Sequence, residues 1–306
     1  MTTIAFIGLG IMGAPMAGHL VAAGHDVVGC NHGQAALDEL VESGGRSAAT
    51  VAEAVKGAEV IITMVPDSPD VEGVSLGEDG IYANADTGAL HIDCSSIRPD
   101  VAVRVAEAGA AAGVAVVDAP VSGGQSGAVE AALSIMVGGA DEDVARARPL
   151  LELVGTTVVH VGPAGSGQTV KAANQLIVAG TIQLVAESLV FLQAHGVDLD
   201  AAVKVLAGGL AGNAIFERKA ANMLKRDYTP GFRIDLHHKD MGIVTSAARE
   251  AGVAIPLGAH VAQLVASLRA QGHGDLDHSA LLMQVEQLSG LLPAGDHDGA
   301  AETKES

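Results

Sequence analysis

An α/β fold, a doubly wound sheet followed by an all-α domain, is the class that this 306-residue sequence predicts. Three observations carry it. A strand, a glycine turn and a helix open the chain; short apolar runs then alternate with helical segments to about Val161; beyond a glycine-rich segment every periodic stretch is helical.

The opening is Ile4-Ala5-Phe6-Ile7, then Gly8-Leu9-Gly10-Ile11-Met12-Gly13, then a helical stretch from Ala14 to Ala23. In such a unit Gly8 permits the sharp turn, Gly10 lets backbone amides approach a pyrophosphate, and Gly13 lets the helix pack closely on the strand. The unpaired N–H groups of the helix start face the anion. Gly8, Leu9, Gly10, Ile11, Met12 and Gly13 are therefore the candidate cradle of a dinucleotide, and the first domain is read as Rossmann-like.

The strands read Thr3–Ile7, Asp26–Cys30, Glu59–Val65, Ala89–Asp93, Val114–Asp118, Leu133–Val137 and Thr157–Val161, with helices such as Gln34–Glu42, Arg98–Ala112 and Glu142–Leu153 between them. This alternation implies a largely parallel sheet whose ligands bind beyond the carboxyl ends of the strands. The segment Gly162-Pro163-Ala164-Gly165-Ser166-Gly167 marks a boundary. The expected organisation is a dinucleotide-binding domain over 1–162, an all-α substrate and dimerisation domain over 163–290, and a tail over 291–306 that lacks periodic hydrophobics and is expected to be disordered.

Helices are expected over Gln168–Ala194, Leu199–Ala207, Ala214–Lys225, Leu236–Ala251, Leu257–Gln271 and Ser279–Leu288. The first spans about 40 Å at 1.5 Å per residue. Beyond Gln175 it is apolar on nearly every face, so burial by its own domain and by a second subunit is expected.

A hydrophobic fraction of 49% is ample for a core, and a net charge of −19 disfavours a nucleic-acid partner. The longest apolar stretch, Leu176 to Leu192, is interrupted by Gln183 and Glu187, which argues for a buried helix and against a membrane span. No basic segment precedes the first apolar run, and Cys30 and Cys94 both end predicted strands. Neither a signal peptide nor a disulfide framework is expected, and the expected location is the cytoplasm.

The position that binds the adenosine ribose in this fold, at the end of the second strand, is Asn31, followed by His32. Asn31 removes the carboxylate that would repel a 2′-phosphate and His32 could donate a hydrogen bond to it. Neither settles the choice within NAD(P)H; together they tilt the expectation slightly toward NADPH. The third and fourth strands end in Met64-Val65-Pro66 and Asp93-Cys94-Ser95-Ser96, which makes Val65, Pro66 and Ser96 candidate contacts of the nicotinamide half, or ordinary loop residues.

Three further segments stand out: Asp118-Ala119-Pro120-Val121-Ser122-Gly123-Gly124, Lys171-Ala172-Ala173-Asn174-Gln175 and Arg233-Ile234-Asp235-Leu236-His237-His238-Lys239-Asp240. Lys171 and Asn174, three apart, project from one helix face. A lysine protonated at neutral pH can give its proton to a carbonyl oxygen as that oxygen gains charge, and Asn174 can bond the same oxygen or steady the lysine. Taken alone, such a lysine is more readily a solvent-facing one near a helix start. Ser122, Gly123 and Gly124 offer a hydroxyl and approachable N–H groups suited to a carboxylate, or simply a flexible turn. Lys239 follows Asp235 by one helical turn, the spacing of an ion pair worth about 0.3–0.5 kcal/mol. His237-His238 and the set His273, Asp275, Asp277 and His278 match no zinc spacing, so no metal is expected; the later set reads as a polar loop capping the helix near Ser279.

Together with the glycine turn, these segments resemble the β-hydroxyacid dehydrogenase (3-hydroxyisobutyrate dehydrogenase-like) family from Ile4 to about Leu288. Phe232-Arg233-Ile234-Asp235-Leu236-His237, Gly208-Gly209-Leu210-Ala211-Gly212 and Gly272-His273-Gly274-Asp275-Leu276-Asp277-His278-Ser279 look most like its tartronate semialdehyde reductase branch. The resemblance implies NAD(P)H-dependent reduction of a small anionic aldehyde, tartronate semialdehyde, to glycerate. It implies Lys171 as general acid, Asn174 ordering the site and Ser122, Gly123 and Gly124 on the carboxylate. It also brings Lys239 to the nicotinamide side of an interdomain cleft, with Phe232 and Asn213 near the active site, in a homodimer or homotetramer. Gln125-Ser126-Gly127 departs from the family's usual acidic or proline-containing continuation. The alternatives are a 3-hydroxyisobutyrate or other 3-hydroxyacid dehydrogenase and a catalytically silent dinucleotide-binding module. Imine reductases resemble the architecture but generally lack a lysine where Lys171 stands.

Overall fold

Apolar runs with no polar alternation, such as Ile4 to Ile7 and Val60 to Thr63, can be buried only if both sheet faces are covered. In a computed structural model, which describes residues 1–291, they are. Ile4, Phe6, Val27, Ile62 and Ile92 pack on one face against Met16, Leu20, Leu37 and Leu40. Ala5, Ile7, Val28 and Ile61 pack on the other against Ala54, Val55 and Ile81. Each fully buried Ile or Phe contributes about 1.5–3 kcal/mol.

Nine strands form the described sheet: β1 (Thr3–Ile7), β2 (Asp26–Cys30), β3 (Arg46–Ser47), β4 (Val60–Thr63), β5 (Leu90–Asp93), β6 (Ala115–Asp118), β7 (Val121–Ser122), β8 (Leu133–Gly138) and β9 (Gly155–Gly162). Their order is β3-β2-β1-β4-β5-β6-β8-β7, with β9 on β8. From β3 to β6 the pairing is parallel. β8 runs antiparallel to β6 and β7, and β9 parallel to β8. The order reverses between β1 and β4, which opens a crevice at their carboxyl ends.

Two strands escaped the sequence reading because each has two residues, too few to show a pattern: β3, and β7, which contains Ser122 and pairs it with Ser134. Other boundaries shift by a residue or two. The expected helix Leu257–Gln271 ends at Leu268 and passes into a wide turn over Arg269–His273, where Gly272 takes a φ of +89°. The expected helix Ser279–Leu288 is a 3-10 turn, His278–Ala280, followed by a helix over Leu281–Ser289. The predicted tail lies, from residue 292 on, outside the described residues.

The chain divides into two compact units, Met1–Gln175 with Ser246–Val253, and Leu176–Thr245 with the residues from Ala254 onward. The first unit thus runs past the glycine-rich segment into the long helix Ser166–Ala194, because that helix starts against the sheet: a Cβ at Gly167 would strike the Met136 carbonyl and the Asp118 carboxylate. In the second unit the same helix buries Ala179, Ile182, Ala186 and Leu189. Its length and apolarity would suffice to cross a membrane. Among the described residues nothing covers it all round: Ile177, Leu184 and Phe191, seven residues apart, are 66%, 54% and 63% exposed.

Elsewhere in the second unit, α-helix Ala214–Lys225 supplies Lys219, whose ammonium pairs with both oxygens of buried Asp277 at 2.9 Å. Asp277 also accepts the N–H groups of Gly231, Phe232 and Ser279, which fastens the segment before helix Ile234–Glu250 and caps the 3-10 turn.

Candidate active site

The turn after β1 is dictated by close approach. Gly8 adopts a φ of +96°, and a side chain there would strike the Met64 carbonyl at the end of β4. A Cβ at Gly13 would strike the carbonyl of Gly8, whereas one at Gly10 would meet nothing within 4 Å. The turn is therefore tight where it touches protein and open at its middle residue, the form a pyrophosphate requires. Leu9 is buried beneath it and Ile11 is exposed.

Asn31 fastens this turn to β2: its Oδ1 accepts the Leu9 N–H at 3.0 Å while its Nδ2 donates to the Gly33 carbonyl at 3.1 Å. His32, next to it, is exposed. Val65 and Pro66 leave β4 beside the turn and enter a helix over Ser68–Leu76 through an Asp67–Asp70 capping box, an arrangement worth about 1 kcal/mol. The Val65 N–H donates to Ser95 Oγ at 3.0 Å, which ties that tip to the loop carrying Ser96 after β5.

Beneath these tips runs a buried polar chain. Tyr82 OH and Thr63 Oγ1 flank the His91 ring at 2.9 and 3.0 Å, and Thr63 Oγ1 donates to Asp93 Oδ1 at 2.7 Å. Burial holds the His91 pKa down to about 3, so the ring is neutral, and burial pushes the Asp93 carboxyl up.

One sheet position further, Asp118 at the end of β6 accepts the N–H groups of Gly165 and Gln168 at 2.7 and 2.9 Å and so caps the long helix. One turn into that helix, buried Lys171 donates from Nζ to the Val121 carbonyl at 2.8 Å and to Gln175 Oε1 at 3.1 Å. Asn174 Nδ2 donates to the same Gln175 oxygen at 2.8 Å, and Ser122 Oγ reaches Asn174 Oδ1 at 3.4 Å. Gly124, with a φ of +67°, turns the chain away from Ser122 into a short helix over Gly124–Val129. The structure thus gathers an ammonium, two amides and a hydroxyl beside the Ser122-Gly123-Gly124 turn.

Gln175 went unassigned in the sequence, although its spacing of four from Lys171 places it on the same helix face. It, and not Asn174, is the amide that hydrogen-bonds the lysine.

Lys239, Phe232 and Asn213 belong to the second unit. The spacing of Asp235 and Lys239 does not produce an ion pair: Asp235 pairs with Arg269 at 2.6 Å and Lys239 with Asp240 at 3.0 Å. Asp240 lies next along the chain, and Arg269 reaches Asp235 from a neighbouring helix end. Phe232 packs against the rings of His237 and His278, and Asn213 caps the helix Ala214–Lys225. Among the described residues no three His, Cys, Asp or Glu side chains cluster as a metal site.

Comparison with known proteins gives this geometry its context. Residues 3–162 match the model of the NAD binding domain of 6-phosphogluconate dehydrogenase, and residues 165–285 that of the NAD-binding domain of NADP-dependent 3-hydroxyisobutyrate dehydrogenase. The 2-hydroxy-3-oxopropionate reductase of Escherichia coli is 41% identical over 286 residues, covering 94% of this chain and 98% of the relative. The chain belongs to the 3-hydroxyisobutyrate dehydrogenase-like family.

The NAD-dependent L-serine dehydrogenase of Pseudomonas aeruginosa is 37% identical, covering 92% of this chain and 97% of that one. The Mycobacterium tuberculosis 3-hydroxyisobutyrate dehydrogenase, solved with L-serine, superposes with a TM-score of 0.86 at 35% identity, covering 93% of this chain and 99% of the other. Like its relatives, this member is an NAD(P)-dependent oxidoreductase of the 3-hydroxyacid dehydrogenase kind. Its glycine turn, tight at Gly8 and Gly13 and open at Gly10, fits the dinucleotide that membership requires.

Proposed function

We propose that this protein reduces tartronate semialdehyde (2-hydroxy-3-oxopropanoate) to glycerate with NADPH. The observation that carries the proposal is the buried Lys171 ammonium, held at the Val121 carbonyl one residue from Ser122. When bound, the nicotinamide supplies the hydride for the aldehyde carbon. Lys171 gives its proton to the aldehyde oxygen, so one hydride and one proton convert the carbonyl to an alcohol. Ser122 Oγ and the backbone N–H groups of Gly123 and Gly124 receive the substrate carboxylate. Asn174 and Gln175 limit the lysine's swing, and such positioning supplies much of the rate in a reaction whose chemistry is the cofactor's.

Residues 8–13 hold the pyrophosphate, Asn31 and His32 lie at the adenosine ribose, and Val65, Pro66 and Ser96 line the nicotinamide half. The side chain at 31 carries no charge to repel a 2′-phosphate, which supports NADPH. The exposed apolar residues Ile177, Leu184 and Phe191 support a homodimer or homotetramer; we place it in the cytoplasm.

A second reading, a dehydrogenase of 3-hydroxyisobutyrate or L-serine, is favoured by the similar identity of the L-serine dehydrogenase relative. One methyl group changes specificity by only about 10- to 200-fold. The deciding experiment measures kcat/KM for tartronate semialdehyde, methylmalonate semialdehyde and L-serine, each with both nicotinamide cofactors. Higher kcat/KM for either rival substrate replaces the first reading with the second.

A further inference from the structure

One buried side chain in the first unit bonds twice to the backbone of a single loop and has no role in the reading above. Gln168 is 1% exposed. Its Oε1 accepts the Ile97 N–H at 3.1 Å and its Nε2 donates to the Ser95 carbonyl at 2.8 Å, so both ends of one amide are spent on the loop after β5. Its own backbone N–H is taken by Asp118 Oδ2 at 2.9 Å. The residue therefore joins three parts: the β5 loop with Ser96 between its two partners, the end of β6, and the first turn of the long helix. Lys171 lies three residues further along that helix and reaches the Val121 carbonyl just past β6.

We infer that Gln168 is a positioning residue that sets the register between the nicotinamide-side loop, Ser95 to Ile97, and the helix bearing Lys171. The physical ground is the geometry of an amide. Its donor and acceptor are held rigidly in one plane, so satisfying a backbone N–H and a backbone carbonyl two residues apart admits one placement of the loop relative to the helix. The surroundings enforce that placement, since a buried N–H or carbonyl left without its partner is costly. Ser95 is itself fixed from the other side, where its Oγ takes the Val65 N–H and its own N–H donates to Asp93 Oδ1 at 3.1 Å. A shift of the helix thus cannot be absorbed by the loop alone. A glycine or alanine at 168 would still allow the helix to form; what it would lose is the alignment of proton donor and hydride donor, and a misplacement of about 1 Å can cost about 100-fold in rate.

This inference rests on the assignment of Lys171 as the acid, and the experiment separates the two. Gln168→Leu removes both bonds at similar volume, and Gln168→Glu keeps the acceptor for Ile97 while replacing the donor that faces Ser95. NADPH is titrated by fluorescence into the native enzyme and each variant, and kcat and KM are measured with tartronate semialdehyde, beside Lys171→Ala. The expected result is an NADPH Kd within about threefold of native, a substrate KM that changes little, and a kcat at least about 10-fold lower for Gln168→Leu, with Gln168→Glu between. A kcat for Gln168→Leu within twofold of native overturns the inference, as does a loss that appears only in KM or in the NADPH Kd. If Gln168→Leu does not fold, Gln168→Glu decides by the same criteria. Lys171→Ala with near-native turnover overturns the acid assignment whatever Gln168 does; an inactive Lys171→Ala beside a normal Gln168→Leu overturns the positioning role alone.

Discussion

Lys171 and Gln175 share a hydrogen bond of 3.1 Å along one face of the long helix, and the oxygen that accepts it also accepts the Asn174 amide. The ammonium is thereby held within the protein, where its proton can be aimed.

Removing the ammonium tests its role. Lys171→Ala is expected to keep NADPH binding, measured by fluorescence titration, and to lose at least about 100-fold in kcat, the lower range for a missing general acid. Gln175→Ala, which leaves the ammonium in place with a wider swing, should lose less, about 10-fold, and an equal loss in both would show that the amide does more than steady its neighbour.

The glycine turn separates folding from binding. Gly10→Ala should melt at the native temperature, since its Cβ meets nothing within 4 Å, yet weaken NADPH about 10-fold or more by filling the space of the pyrophosphate. Gly13→Ala, whose Cβ would strike the Gly8 carbonyl, should lower both the melting temperature and the affinity.

His91 makes stability depend on pH. Its pKa is about 3 in the folded chain, held down by burial, against 6.5 as the ordinary value. Between these the unfolded chain binds one proton more, so stability falls as pH falls below about 6.5, at up to about 1.4 kcal/mol per pH unit. His91→Asn should flatten the slope of urea-unfolding free energy between pH 6.5 and 5 by about that amount. Asp93, whose raised carboxyl pKa acts with the opposite sign, and His278, held low by burial, are present in both proteins. The difference therefore reports the His91 ring.

In the second unit, Lys219→Met strands the Asp277 carboxylate in the interior. A loss of about 3–5 kcal/mol in chemical denaturation is expected, as for one half of a buried ion pair. A loss below about 1 kcal/mol would mean that the three backbone N–H groups suffice to hold that charge.

Much of this architecture is legible in the sequence because hydrophobic periodicity is a local signal. β1, β2 and the helices Gln34–Glu42, Leu199–Ala207 and Ala214–Lys225 fall where the pattern puts them. The two-residue strands β3 and β7 owe their existence to partners distant in sequence, so nothing local announces them. The glycine turn is readable from its spacing and its place between a strand and a helix, whereas the lysine segment stands out only through its resemblance to the family. Gln168 is not readable, because an amide becomes informative only when its partners are known, and those of Gln168, at 95 and 97, lie 73 and 71 positions earlier in the chain. The spacing of Asp235 and Lys239 misled for the complementary reason: three-dimensional neighbours outcompeted the helical one.

The two backbone bonds of Asn31 constrain any attempt to redesign coenzyme choice at the position proposed for the adenosine ribose. An aspartate there would retain an acceptor for Leu9 but would turn a second oxygen, and a negative charge, toward the Gly33 carbonyl that now receives an amide hydrogen. If Asn31 also meets the adenosine ribose, as proposed above, selectivity and loop shape are encoded in the same side chain, and an engineer who alters the first must rebuild residues 31–33 as a block.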